Sequence, residues 1–281
     1  LAMKVIADKL HVAMSHQQNL AHAEYLSWKL NHQLISTTLS KHNEEITHSI
    51  WRGQDLITSN QKGEISIWDM NNRSQKLSFI GHQNRINLLQ LHPNRERFFS
   101  GAVDGSLSLW NIDEGRAIAR LQGHESSITA MSTSQTAKGL YLASGDQKGW
   151  VWLWNEQGKA EKQWRASRSR IDKVALSPEA DYALVRSANK EEQGTIWKLK
   201  RGEQTQKVAE FPNALLAIQW QGRGSELRAY GLTESGDYVR WTPRSARVET
   251  VADLRSVLGN TRLTKAQLQE NSPWLLGITR Q

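Results

Sequence analysis

The sequence predicts an all-β fold assembled from repeated four-stranded units. Three observations carry that expectation. A Trp closes a turn-plus-strand segment at Trp68, Trp110, Trp154, Trp197 and Trp241, at gaps of 42, 44, 43 and 44 residues. The segments before these Trp residues alternate small or polar with apolar residues, as in KGEISIWD (62–69), DGSLSLWN (104–111) and KGWVWLWN (148–155). Turn residues recur between them, as period-2 strands joined by tight turns require.

A period near 43 residues falls in the range of propeller blades with four strands each. The Trp110 unit is the clearest. INLLQL (86–91) reads as a first strand, HPNRE as a Pro-Asn turn and RFFSGA as a second strand. VDG is a tight turn in which Gly105 supplies a permissive backbone. SLSLW is a third strand, and AIARLQ (117–122) a fourth that leads into the next Gly-His.

These residues carry a resemblance. Gly-His, then strand, turn, strand, Asp-Gly and strand, closed by Trp-Asp or Trp-Asn, is similar to the WD-repeat family of β-propellers. The similarity covers residues 42–245 and is strongest in the first three units. It implies a hydrogen-bonded tetrad of His, Ser or Thr, Asp and Trp locking each blade. Only the Trp110 unit has all four: His82, Ser100, Asp104 and Trp110. The Trp68 unit offers His42, Thr58 and Trp68, with Lys62 in place of Asp. The Trp154 unit offers His124, Ser144 and Trp154, with Lys148 there. The Trp197 unit lacks Gly-His, and the Trp241 unit keeps little beyond SGDYVRW. The chemistry of such a tetrad is structural. An indole is a donor only and needs an acceptor when buried, which a hydroxyl provides. His82, Ser100 and Asp104 could be mistaken for a hydrolytic triad, but their spacing is that of the tetrad.

Five units fall short of the seven blades of many such propellers. The ring could close with five blades, further blades could lie outside this chain, or the flanks could supply degenerate strands. LISTTLSKH (34–42) matches a fourth-strand position before the first unit, and ARVETVADL (246–254) matches it after Trp241. The propeller is therefore placed at 33–254.

The flanks read differently. Residues 1–32 contain no Gly or Pro, and Val5, Ile6, Leu10, Ala13, Leu20, Ala23, Leu26 and Leu30 recur with roughly helical spacing. The segment is expected to be helical or a linker. His11, His16, His22 and His32 share no consistent i, i+4 spacing, so no metal site is read there. In the tail, 255–281, Thr264 is expected to cap a short helix over KAQLQE, with Trp274 packed on the propeller. A helix feeding such an array, with this tail, resembles the C-terminal sensor part of bacterial signalling proteins of the STAND or NACHT type. That resemblance implies a fused N-terminal signalling domain. No GxxxxGK[ST] phosphate loop is present.

Bulk properties narrow the function. With no Cys, disulfides, thiolate metal sites and cysteine nucleophiles are excluded. A cytoplasmic protein is expected. No apolar run approaches membrane-spanning length, so no membrane partner is expected. The 12 Trp outnumber Phe and Tyr together, so a few large side chains should build the core. Net charge is +8 and the densest basic run is RASRSR (165–170), which keeps a nucleic-acid-binding propeller as the alternative, with a propeller enzyme as a second one. The charges are otherwise interleaved, and no cofactor or catalytic cluster is read. The expectation is a protein-binding scaffold or sensor, with candidate partner-binding loop residues Glu45, Lys62, Arg85, Asp146, Lys148, Arg168 and Arg170.

Overall fold

A computed structural model describes the chain in full at residues 45–189, 194–200, 202–211, 213–245 and 247–253. It describes the backbone alone for the strands at 2–6, 9–15, 23–29, 33–39, 263–268 and 275–279. The residues divide into two compact units, Leu1–Ile128 and Thr129–Gln281.

Each of the five predicted units is a four-stranded antiparallel sheet in which successive strands are neighbours. The Trp68 blade consists of Ile46–Arg52, Asp55–Asn60, Glu64–Asp69 and Ser74–Ile80. The Trp110 blade consists of Ile86–Leu91, Arg97–Ala102, Leu107–Asn111 and Ala117–Leu121. The Trp154 blade, in the second unit from Thr129 onward, consists of Ile128–Thr136, Gly139–Asp146, Trp150–Asn155 and Ala160–Arg165. The Trp197 blade follows with Ile171–Leu176, Tyr182–Ser187, Thr195–Lys198 and Gln206–Glu210. The Trp241 blade ends the set with Leu215–Gln221, Arg228–Thr233, Asp237–Trp241 and Glu249–Asp253. All-β β-propeller architecture is thus the fold.

The flanks differ from the helices expected of them. Ala2–Ile6, Lys9–Ser15, Ala23–Lys29 and Gln33–Leu39 form a sixth four-stranded sheet. The expected fourth strand near 34–42 is its last strand, and the supposed helical segment supplies the other three. The same residues carry a period-2 signal that the helical reading passed over. Leu10, Val12 and Met14 alternate with Lys9, His11 and Ala13, and Leu26 and Trp28 bracket Ser27. In the tail, Leu263–Leu268 pairs with Leu275–Thr279 as a hairpin, so Thr264 lies in a strand and caps no helix. Pairing outweighs the weak helical propensity of KAQLQ. Trp274, His16, His22, His32 and His42 lie outside the described residues.

The buried side chains form a layer within each unit. In the first, Ile57, Ile67, Phe98, Trp110 and Ile112 share one cluster, joined at its edge by Phe79. Phe79 and Trp110 have ring centroids 5.1 Å apart. In the second, Leu153, Trp164, Ile171, Val174 and Val185 form one cluster, and Leu184, Phe211, Leu215, Val239 and Trp241 another. These apolar residues come from alternate positions of the strands, which is the pattern the sequence displays.

Candidate functional site

Of the polar residues singled out by sequence, Thr58, Ser100 and Ser144 lie on second strands, Lys62, Asp104, Asp146 and Lys148 at the turns between second and third strands, and Glu45, His82, Arg85, His124, Arg168 and Arg170 ahead of first strands. In the Trp110 blade, Trp110 Nε1 donates to Ser100 Oγ at 2.7 Å. His82 Nε2 lies 2.5 Å from the same hydroxyl, and His82 Nδ1 lies 2.6 Å from Ser106 Oγ. Ser106 Oγ donates to Asp104 Oδ1 at 2.5 Å. Since the Ser106 proton goes to the carboxylate, Ser106 accepts from His82 Nδ1–H. Nε2 is then unprotonated and accepts from Ser100, whose lone pair takes the indole N–H. One neutral imidazole satisfies every member of the chain.

The chain differs from the expected tetrad at one link. Asp104 reaches His82 through Ser106. Asp104 is exposed and accepts from the Ser106 backbone N–H at 2.9 Å and from Asn84 Nδ2 at 2.8 Å. These hydrogen bonds outweigh its partial desolvation and hold its pKa below the usual carboxylate value. Burial pushes His82 down to about 4. Ser100 is fully buried with its hydroxyl occupied on both sides, so it offers no nucleophile.

Strand register explains which blades can build this contact. Trp110 faces Phe98, and Ser100 stands two residues further along that strand. Trp68 faces Leu56, which puts Thr58 in the acceptor place at 3.0 Å. Trp154 faces Leu142, which puts Ser144 there at 2.8 Å. Trp197 faces Ala183, so the place falls to Val185, and the indole turns to Thr195 Oγ1 at 2.8 Å. Trp241 faces Ala229, so the place falls to Gly231. A Cβ on Gly231 would come within 2.6 Å of Leu215 Cδ2, and Trp241 Nε1 is buried with no hydrogen-bond partner among the described residues.

Lys62 and Lys148 stand where Asp was expected, and the structure shows what replaces it. The turn is anchored two residues earlier. Asn60 Oδ1 accepts from the backbone N–H of Lys62 at 3.0 Å and of Glu64 at 2.9 Å. Asp146 Oδ1 accepts from the N–H of Lys148 at 2.9 Å and of Trp150 at 3.0 Å. Asp146 was read as a partner-binding residue, but it is only 2% exposed. Its carboxylate belongs to the turn, which corrects that assignment. Sequence reasoning also missed Asn60 and Ser106. The signal for Asn60 and Asp146 is an Asx residue three positions before the turn Gly.

The remaining candidates face solvent. Lys62, Arg85, Lys148, Arg168 and Arg170 are exposed, and Glu45 is half-buried. Glu45 accepts from Gln61 Nε2, and Arg170 Nε donates to Asp172 at 2.7 Å. His124 is half-buried. In the second unit a cavity of about 540 Å³ lies between turns of neighbouring blades, lined by Lys138, Tyr141, Lys162, Glu179, Asp181 and Arg223 among others. Among the described residues, no group of three or more His, Cys, Asp or Glu could hold a metal ion. Among them, no helix is long and apolar enough to cross a membrane.

Comparison with known proteins fits this geometry. A family model described as "WD domain, G-beta repeat" matches residues 73–111 and 115–155. Autophagy-related protein 16 of Arabidopsis thaliana is 23% identical over 76% of this chain and 42% of its own length. Target of rapamycin complex subunit wat1 of Schizosaccharomyces pombe is 26% identical over 56% of this chain and 52% of its own. This chain therefore spans about half or less of these curated relatives. Among solved structures, the computationally designed Ika8 protein matches 98% of this chain and 79% of its own, with TM-score 0.70 and 17% identity. A chain of the mitotic checkpoint complex matches 96% and 80%, with TM-score 0.69 and 18% identity. At those identities the likeness to solved structures concerns the fold.

Proposed function

We propose that this chain, a WD-repeat β-propeller, is a non-catalytic protein-interaction scaffold or sensor module. The observation that carries the reading is the division of labour among its polar groups. The buried side chains of Thr58, His82, Ser100, Ser144 and Asp146 are spent on holding indoles and turns. The side chains of Arg85, Lys148 and Arg168 are exposed on the loops and hold no turn or indole among the described residues. Function on a propeller frame belongs to its loops. That relatives include a protein named as a complex subunit, and that a similar fold occurs in a checkpoint complex, supports the same reading.

Within this proposal the chain is cytoplasmic and forms the sensor part of a larger signalling protein, with a fused domain before it. Its mixed loop charges suit protein surfaces better than a nucleic-acid backbone, which demands a continuous basic groove. The test is a pull-down from cell extract with the purified chain at low and high salt. Specific protein partners retained at high salt support the scaffold. Recovery of nucleic acid alone, lost at high salt, would replace it with the electrostatic reading.

A further inference from the structure

The Trp197 blade departs from the two blades that precede it in sequence. One residue beyond the acceptor place in the second strand, the Trp110 and Trp154 blades carry Gly101 and Gly145. A Cβ on Gly145 would come within 2.6 Å of Ile171 Cγ2, the first residue of the following blade, and Gly101 meets Ile128 in the same way. The Trp197 blade places Arg186 there. Arg186 extends to the Trp241 blade, where Nη1 donates to Leu215 O at 2.8 Å. Its other guanidinium nitrogens have no protein acceptor among the described residues.

Lys173 stands directly opposite Arg186, next to a bulge at Asp172. Bulges re-aim side chains at functional positions. Directly opposed residues of a strand pair have Cβ atoms about 5 Å apart, and like charges there repel. Neither cation has a carboxylate partner among the described residues. The nearest in sequence, Asp172, is held by Arg170 Nε at 2.7 Å. Lys173 is exposed by area, yet desolvation and the Arg186 charge together push its pKa below the ordinary lysine value. The ammonium is partly desolvated, faces the Arg186 guanidinium and has no counter-ion among the described residues.

We propose that Lys173 and Arg186 form a binding site for one oxyanion, a phosphate or carboxylate group. A guanidinium fork supplies two parallel N–H donors, and an ammonium adds a point charge from the opposite strand. An anion between them turns a repulsive pair into an attractive triad. The site is independent of any protein partner, since it binds a small free anion.

The test is calorimetric titration of inorganic phosphate, and separately of acetate, into the whole chain and two variants. Arg186→Gly installs the residue found at this place in two other blades. Lys173→Ala installs the counterpart of Ala217, which follows the equivalent bulge in the Trp241 blade. We expect saturable one-site binding of phosphate, weakened at least tenfold in each variant, with melting temperature kept or raised. Saturable acetate binding with the same loss would support the site and mark it as carboxylate-binding. Binding of phosphate alone would mark it as a phosphate site. No saturable binding of either anion, or affinity unchanged in both variants (an adventitious ion only), overturns the proposal. Should Arg186→Gly fail to fold, Lys173→Ala decides alone.

Discussion

His82 and Ser106 are joined by a 2.6 Å hydrogen bond that carries the imidazole's link to Asp104. This relay fixes Nδ1 as the protonated nitrogen and leaves Nε2 as the acceptor for Ser100. Ser100 is then the joint of the whole chain, because two buried groups depend on its single hydroxyl. Ser100→Ala leaves both the indole N–H and Nε2 without partners. Unpaired buried groups cost about 1–3 kcal/mol each, so a loss of about 2–6 kcal/mol in urea unfolding is expected. Ser106 is exposed, and water can replace its hydroxyl, so Ser106→Ala should cost less than about 1 kcal/mol. Equal losses for the two variants would show that the relay is not organised around Ser100.

The same imidazole makes stability depend on pH. Burial lowers His82 to about 4, below its unfolded value of 6.5. Between those values the unfolded chain binds the extra proton, so stability rises with pH. The contribution is complete above about pH 6.5 and is lost as pH falls toward 4. At pH 4.5 the expected loss from this residue is about 2–3 kcal/mol. His82→Gln lowers stability at neutral pH but should flatten this part of the profile. Urea midpoints at pH 7.5 and 4.5 for both proteins check this, and parallel profiles would refute it.

Much of this was legible in the sequence, and the gaps have physical causes. Trp spacing reported the blades because each indole occupies one fixed register position. The acceptors Thr58, Ser100 and Ser144 could be found because they lie ten residues before their Trp. Asn60 escapes the sequence reading, and Asp146 is assigned there to a partner, because the anchor lies two residues earlier in the strand while keeping its task. The N-terminal strands were read as helix because residues 7–8, between two paired strands, are Ala-Asp and offer no Gly to announce a turn. Ala-rich alternation there satisfies both periods, and only pairing decides between them.

The equivalence of Asn60 and Asp146 makes a direct prediction. Both use Oδ1 to hold two backbone N–H groups of their turn. An amide oxygen therefore suffices, and Asp146→Asn should change stability by less than about 1 kcal/mol. Asp146→Ala orphans two amides and should cost about 2–3 kcal/mol. Thermal melts of the two variants distinguish this from a role for the charge itself, in which case Asn would fare as badly as Ala.

Two glycines with left-handed backbone separate crowding from conformation. Gly149 has φ +88, and a Cβ there would lie 2.1 Å from the Ser167 carbonyl oxygen. Gly53 has φ +55, and a Cβ there would meet nothing within 4 Å. Gly53→Ala should cost only the left-handed strain, about 1 kcal/mol. Gly149→Ala must also push back the chain that follows the fourth strand, whose Ala166 N–H donates to Gly149 O at 2.9 Å. A loss of about 3 kcal/mol or more is expected. Similar melting temperatures for the two variants would mean that this crossing of chains can relax.

Arg85 tests the loops as a working surface. Its side chain is exposed, while its backbone carbonyl accepts the Val103 N–H at 3.0 Å. The carbonyl serves the turn whatever the side chain is, so Arg85→Glu should leave stability within about 0.5 kcal/mol. Reversing an exposed charge at a recognition surface changes association rate and salt dependence. Partners recovered with the unaltered chain should therefore bind the variant more weakly, chiefly through slower association. Binding that is unchanged in rate and affinity would move the recognition surface away from Arg85. Unfolding of the variant would show that the guanidinium has a structural role that its exposure conceals.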